Sequence, residues 1–425
     1  MGIVVQKYGG SSVANAEKFR RVARRIAWKR QQGHDVVVVV SAPGDTTDDL
    51  LEKAAEITDH PDPREMDVLL ATGEQISIAL LTMALHEVGC PAVSLTGPQA
   101  GFLTDSNHRA AKILNIDTTR IRQELAQGRV VIVAGFQGMD ENGDITTLGR
   151  GGSDQSAIAL AAYLKADQCQ IFTDVDGVYT ADPRLVPTAG RLDEISYDEI
   201  LELAAAGAQV MQLRSVEFAK QYGVEFEVLS SLAPLPDEGG EEKGTKVVAA
   251  LGANNQRVVS GVAVDSKIAR ITIVNLPDRP GVAARIFGAL GKAKINLDMI
   301  VQSAGAVVDD RPTADIAFTC SRDDLDVALQ VCQEVAAAFP GSRVVYDTDV
   351  AKVSIVGSGV ASNYGVAATM FEALAEQGIN IELITGSEIK ISCLVRSSQA
   401  VAAVRAVHDK FGLGKAAVAV QEGRC

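Results

Sequence analysis

The chain has 425 residues, of which 47% are hydrophobic, 22% charged and only 4% aromatic, and its net charge is −14. At about 100–200 residues per domain, this is room for two to four domains of ordinary globular composition. The acidic balance excludes nucleic acid, whose phosphate backbone requires basic patches, whereas a small anionic ligand needs only a local cationic cluster set against the global field.

No run of about 20 uncharged apolar residues marks a membrane helix, so no membrane partner is expected. The N-terminus runs directly into a strand-like stretch, without the layout of a signal peptide. The six cysteines (Cys90, Cys169, Cys320, Cys332, Cys393 and Cys425) form no C-x-x-C pair, and most sit in apolar surroundings. They read as reduced core thiols, which makes the cytoplasm the expected compartment. The five histidines are scattered, an argument against zinc.

In chain order, "VVQKYGGSSVANAEKF" begins as a strand at Val4, breaks at Gly9-Gly10 and enters a helix over residues 16–31. Residues 36–40 are five consecutive valines, followed by "SAPGDTTDDLL". Helical spacing returns over 64–88 and 117–127. The run "VVIVA" at 130–134 precedes "GFQGMDENG". After "TTLGRGGSDQSAIAL" a helix covers 154–164, and "QIFT" at 170–173 leads into "DVDGVYTADPR". Unbroken apolar runs of this kind are strands buried on both faces, and helices alternate with them. The expected fold is a three-layer α/β domain over residues 1–250 with a mainly parallel central sheet. Ligands of such sheets bind beyond the carboxyl ends of the strands, where these polar loops converge. "SSLAPLPDEGGEEKGTK", residues 230–246, reads as a solvated surface loop or linker.

An internal repeat follows. "GVAARIFGALGKAKINLDMI" from Gly281 and "GVAATMFEALAEQGINIELI" from Gly365 lie 84 residues apart and match at 10 of 20 positions. Each has a strand before it and a further strand and helix after it. This predicts two ferredoxin-like β-α-β-β-α modules, at 265–342 and 347–425, with an extra strand at 258–264 that completes either copy.

Four loops carry the chemistry. In the first, Lys7, Gly9, Gly10 and Ser11 put backbone N–H groups and one full positive charge at a helix start, which is a phosphate cradle. In the second, Gly149, Gly151 and Gly152 flank Arg150, whose guanidinium offers a bidentate fork to a carboxylate or phosphate. Ser153 or Asp154 caps the helix that follows. The third, 173–184, has three aspartates, Tyr179 and Arg184. Its acids suit Mg²⁺ and Tyr179 a base, and the plainer alternative is an Asp-rich turn. In the fourth, residues 41–47 either contact a polar substrate or cap a helix. Glu74 stands among apolar neighbours in "ATGEQISIALL".

In this order, "QKYGGSS", "SAPGDTTDDLL", "TTLGRGGSD" and "TDVDGVYTADPR" resemble the amino-acid kinase family, in particular its aspartate-phosphorylating branch with two C-terminal ACT modules. The resemblance spans the whole chain. It implies ATP-dependent phosphorylation of the β-carboxylate of L-aspartate, with Mg²⁺, as the first step towards lysine, threonine and methionine. It places Lys7 and Asp154 in catalysis, Lys7 on the moving phosphoryl group and Asp154 ordering the basic groups. It implies acceptor binding by Ser41, Thr47, Glu74, Arg150, Gly151 and Ser153. Nucleotide contacts fall to Lys7, Tyr8, Gly9, Gly10, Ser11, Thr173, Asp174, Tyr179, Asp182, Arg184, Gln209 and Val210, and no residue is assigned to metal. The chain departs at Gln209, where many members have a lysine; glutamine brings hydrogen bonds but no charge. The ACT modules imply a feedback amino acid, lysine or threonine, near Asp278, Asn296, Asp298, Gln302, Asn380 and Ile381. They also imply oligomers formed through these modules, including a shorter subunit made of ACT modules alone. The rival readings are a glutamate-, acetylglutamate- or uridylate-type kinase of the same family and a catalytically inert amino-acid sensor.

Overall fold

In the computed structural model of the protein, which describes residues 2–208, 211–235, 238–240, 242–252, 257–308 and 311–414, the valine-rich runs pair with one another as parallel strands. Two compact units result. The first comprises Met1–Val178, Arg191–Ala204 and Gln209–Asn255, and the second Tyr179–Gly190, Ala205–Ala208 and Gln256–Cys425.

The first unit begins with β1 (Ile3–Tyr8), α1 (Ala16–Gln31), β2 (Asp35–Val40), α2 (Thr46–Ala55), α3 (Pro63–Leu70), α4 (Thr72–Glu87) and β3 (Ala92–Leu95). Next come β4 (Phe102–Thr104), β5 (Ile113–Ile116), α5 (Thr119–Ala126), β6 (Val130–Ala134), β7 (Gln137–Met139), β8 (Ile145–Thr147), α6 (Gly152–Leu164) and β9 (Gln168–Thr173). The run closes with β10 (Glu194–Ser196), α7 (Tyr197–Ala205), α8 (Leu213–Tyr222), β11 (Phe226–Ser230) and β12 (Thr245–Val248). The central sheet has the order β10-β12-β11-β9-β1-β2-β6-β3 and is parallel throughout, except where β11 meets β12. Strand periodicity divides its side chains between two helical layers. Tyr8, Val36, Val38, Val40 and Ile132 join the core made with α1 and α4. Lys7, on the opposite face, looks towards α6. A small sheet, β5-β4-β7-β8, lies beside the main one.

The helical pattern over 64–88 resolves into two helices. The break falls at Ala71, whose carbonyl accepts from the Gln137 side-chain amide at 2.8 Å, while the Thr72 hydroxyl donates to Leu69 O at 2.7 Å. By length and composition alone Pro63–Glu87 is apolar enough to cross a membrane. Here Ile78, Leu81, Ala84 and Leu85 of α4 are packed into the core of the first unit instead. Of the two expectations for residues 230–246, surface loop or linker, the described residues fit the loop: Arg21 and Arg25 of α1 donate to Ala233 O, Leu235 is buried, and Thr245–Val248 pairs with the sheet as β12. Composition marks polarity, and here the polar stretch is pinned by arginines of a neighbouring helix.

The second unit contains β13 (Gly261–Asp265), β14 (Ile268–Pro277), α9 (Val282–Lys292), β15 (Leu297–Val308), β16 (Arg311–Ser321), α10 (Leu325–Ala336) and β17 (Arg343–Asp347). The second copy follows as β18 (Val350–Val356), α11 (Val366–Glu376), β19 (Leu383–Gly386), β20 (Lys390–Arg396) and α12 (Ala400–Lys410). The two antiparallel sheets run β15-β16-β14-β17 and β13-β18-β20-β19, so the strand before the first copy completes the second. Between the copies Arg270 and Arg396 pair with Asp347 and Glu382, with Arg270–Glu382 at 2.8 Å and Arg396–Asp347 at 2.7 Å. Ile268, Met299, Val350 and Leu394 form a small core beside them.

The repeat makes Leu290 and Leu374 equivalent, and both are fully buried in separate cores. Replacing either by alanine is expected to cost about 2–5 kcal/mol of module stability. Denaturant titration of the two variants checks this; a neutral Leu374→Ala would contradict the packing of that side chain into the core of the second copy.

Candidate active site

The carboxyl ends of β1, β2 and β9 place three of the four loops together. After β1 the chain turns at Gly9 and Gly10, and a methyl group built on Gly10 would lie 2.7 Å from Ala42 O, so only glycine lets the two loops meet. Gly44 N–H donates to Gly10 O at 3.1 Å, and Ser41 N–H to Tyr8 O at 3.1 Å. Gly9 N–H reaches back to Phe172 O at the end of β9. Tyr8 is fully buried and stacks on Phe172, so its backbone belongs to this edge while its ring belongs to the core.

Lys7 Nζ lies 2.6 Å from Asp154 Oδ1, and both side chains are mostly buried. Asp154 does not cap α6, and neither does Ser153. The helix starts from Gly151 with no side-chain cap, and Asp154, in its first turn, reaches across to β1 instead. Ser153 is buried, and the chain at Gly135 passes so close that an added methyl would lie 2.8 Å from Ser153 Oγ. Arg150 is exposed and forms no ion pair among the described residues. Gly151 O accepts from Ser215 Oγ.

Glu74 is held in the first turn of α4, 3% exposed. Its Oε1 accepts from Ala42 N–H at 3.0 Å, while its buried Oε2 has no partner among the described residues. Burial pushes its carboxyl up to about 7, and the Ala42 amide pulls partly against that. Ser77 Oγ donates to Ser41 O at 2.7 Å and fixes the same loop, while Thr47 is half-buried at the start of α2. Taken together, the site is a cation at the sheet edge, a glycine turn, an exposed arginine loop and one buried carboxylate with a free oxygen.

The third loop is divided. Thr173, which donates to Asp174 Oδ1 at 3.1 Å, and the exposed Asp174 stand at the end of β9 with the other loops. Tyr179, Asp182 and Arg184 belong to Tyr179–Gly190, which clusters with the second unit. Tyr179 packs on the core of the second ACT copy, Thr180 O accepts from Val262 N–H, and Thr180 Oγ1 lies 2.9 Å from His408 Nε2. The Arg184 guanidinium holds Asp182 below the usual carboxylate range, and the two close a local fork. Gln209 and Val210 lie outside the described residues.

In the second unit, Gly281 and Gly365 start α9 and α11. Asp278, Asn296, Gln302 and Asn380 are exposed, and Ile381 is half-buried against the second copy's core. Asp298 is already engaged: the ammonium of Lys352, 2% exposed, lies 2.6 Å from Asp298 Oδ2. Burial pushes the Asp298 carboxyl up, but Lys352 and the Met299 amide outweigh it and hold it low. Lys352 was not singled out in the sequence, although a lone charge in the apolar run "VAKVSIV" is a signal that could have found it. Asp67 and His108 were missed with less of a signal, because an aspartate in an amphipathic helix and a histidine in a polar turn look like surface.

The Amino acid kinase family model matches residues 2–230, and the ACT domain model matches 271–335 and 353–411. The chain belongs to the amino acid kinase family. More narrowly, it is 51% identical over 421 residues to the aspartokinase of Geobacillus stearothermophilus, covering 99% of this chain and 100% of that one. Among solved structures it is similar to E. coli aspartokinase III in complex with aspartate and ADP (R-state), with 25% identity, a TM-score of 0.75 and coverage of 96% of this chain and 99% of that one. It is equally similar to the same enzyme in complex with lysine and aspartate (T-state), with 26% identity, a TM-score of 0.75 and the same coverage.

Glu74 sets a pH signature with a definite sign. Its raised carboxyl favours the neutral form in the fold, so its contribution to stability is complete below about 4.5 and is lost as pH rises through about 7. Glu74→Gln never ionises, so its melting temperature should gain on the parent's between pH 5 and pH 8. An unchanged difference across that range would contradict the burial of an ionisable Glu74.

Proposed function

We propose that the chain transfers the γ-phosphoryl group of ATP to the β-carboxylate of L-aspartate, giving 4-phospho-L-aspartate and ADP. The observation that carries this reading is the Lys7–Asp154 pair, which fixes an ammonium beside a glycine turn at the carboxyl edge of a parallel sheet. A carboxylate oxygen attacks the γ-phosphorus and the bond to the β–γ bridging oxygen breaks. No proton moves, because an acceptor of pKa ~3.9 is already ionised at neutral pH. The site therefore has no need of a general base. What it must overcome is repulsion between two anions, by positioning and by charge.

Lys7 takes the charge of the moving phosphoryl group, and Asp154 holds Lys7 in place. The backbone around Gly9, Gly10 and Ser11 cradles the phosphates. Arg150 receives an acceptor carboxylate, with Ser41, Thr47, Gly151 and Ser153 around it. The free Oε2 of Glu74 suits the acceptor's ammonium, which would restore its negative charge. Thr173, Asp174, Tyr179, Asp182, Arg184, Gln209 and Val210 serve the nucleotide. Mg²⁺ carried on phosphates needs only one or two protein carboxylates, and the exposed Asp174 at the end of β9 fits that need. Bound there, the ion would neutralise phosphate charge.

The ACT copies take the regulatory amino acid, lysine or threonine, at the starts of α9 and α11, with Asp278, Asn296, Gln302, Asn380 and Ile381 around it. Since Lys352 occupies Asp298, an effector's amine would meet Asp298 only by displacing it. Assembly through the ACT sheets, with a shorter ACT-only subunit, belongs to the same reading.

Lys7→Ala should lower kcat by about 10²–10³, the usual cost of one preorganised charge contact, while the chain still folds, with a lowered melting temperature because Asp154 loses its buried partner. ADP release is measured with aspartate, glutamate and uridylate as acceptors. Turnover on glutamate or uridylate but not aspartate, or near-normal kcat in Lys7→Ala, would overturn the reading.

A further inference from the structure

We infer that Asp67, with His108, is a positioning residue of the acceptor site: it seats the loop that carries Arg150. The inference rests on the reading that Arg150 binds the acceptor. Asp67 lies in α3 and is fully buried. Four contacts converge on its carboxylate. Thr147 Oγ1 donates to Oδ1 at 2.5 Å, Arg109 N–H lies 3.1 Å from each oxygen, and His108 Nδ1 is 2.8 Å from Oδ2. Among the described residues no lysine or arginine side chain pairs with it. A carboxylate buried on hydrogen bonds and one imidazole is a costly way to fill space, and an apolar side chain beside Met66 and Leu70 would serve packing as well or better.

What the carboxylate supplies is geometry. It ties α3 to the turn after β4 and to the last residue of β8, three segments far apart in sequence. Arg109 is held in the left-handed region, at φ 67, a conformation that needs local support in a residue with a side chain. The two contacts from its N–H to Asp67 give that support. The floor they build lies directly under the Arg150 loop. Ala111 N–H donates to Thr147 O at 2.9 Å, and a methyl group on Gly149 would lie 3.0 Å from Arg109 O. Gly149, at φ 77, is the residue that lets the loop rest on this floor. Arg150 has no described ion-pair partner of its own, so its backbone sets its aim, and that backbone is set by Thr147 and Arg109. A displacement of about 1 Å in such a positioning group can cost on the order of 10²-fold in rate.

Asp67→Asn keeps the size of the side chain and one accepting oxygen but loses the charge and the second acceptor. It should raise KM for aspartate about tenfold and leave KM for ATP within about twofold. In an Arg150→Lys background it should add less than about twofold, because the loop then has no fork to aim. His108→Asn, whose amide replaces the donor at Nδ1, should stay near the parent, while His108→Ala should shift KM for aspartate in the same direction as Asp67→Asn. If Arg150→Lys itself leaves KM for aspartate unchanged, the acceptor reading of Arg150 fails. If Arg150→Lys raises it but Asp67→Asn does not, or adds its full factor in the double variant, the positioning role of Asp67 is overturned. Should Asp67→Asn fail to fold, the His108 pair decides: equal KM for aspartate in His108→Asn and His108→Ala overturns the proposal.

Discussion

The site depends on one ion pair that crosses from strand to helix. Lys7 is the last residue but one of β1 and Asp154 stands in the first turn of α6, and their contact at 2.6 Å fixes a cation where the phosphate loop begins. In water such a pair is worth little. Here both side chains are mostly buried, so the field is less screened and the long lysine chain loses its freedom before any ligand arrives. The fold supports this from both sides. Alternation along β1 sends Tyr8 into the α1/α4 core and Lys7 to the α6 face, and a one-residue slip would exchange them. The glycine contacts at Gly10 and Gly135 bring the loops after β2 and β6 close enough to close the site.

Much of this was legible in the sequence. Short valine runs without alternation, β-branched and bounded by polar loops, fit strands covered on both faces, and polar loops of the site follow β1, β2 and β9. The repeat beginning at Gly281 and Gly365 exposed the two modules, because a shared helix needs the same buried positions in both copies. Other features were hidden, and each for a physical reason. The break at Ala71 is made by the Gln137 side chain, 66 residues away. Asp154 looked like a cap because acids favour helix starts, but the helix field and Lys7 compete for the same carboxylate. The loop after β9 looks continuous in sequence, yet from Tyr179 onward its hydrogen bonds go to Val262, His408 and Leu413. Asp67 carried no signal at all, since the meaning of its burial lies in partners at 108, 109 and 147.

The second unit shows another use of charge. Arg270, Arg396, Asp347 and Glu382 form a network between the ACT copies, while Lys352 sits buried on Asp298 in the same region. Networks of this kind set register and relative orientation more than they add stability. An effector that altered the balance of these pairs would act by preferring one arrangement over another, and its influence is limited to its difference in affinity for the two.

The central claim, that Asp154 acts through Lys7, is tested most directly by a double-mutant cycle on kcat with Lys7→Ala, Asp154→Ala and the pair. If the carboxylate serves to hold the ammonium, the double variant should be little slower than Lys7→Ala alone, a large departure from additivity. If the two losses multiply in full, the residues act independently, and the ion pair is not what organises the site.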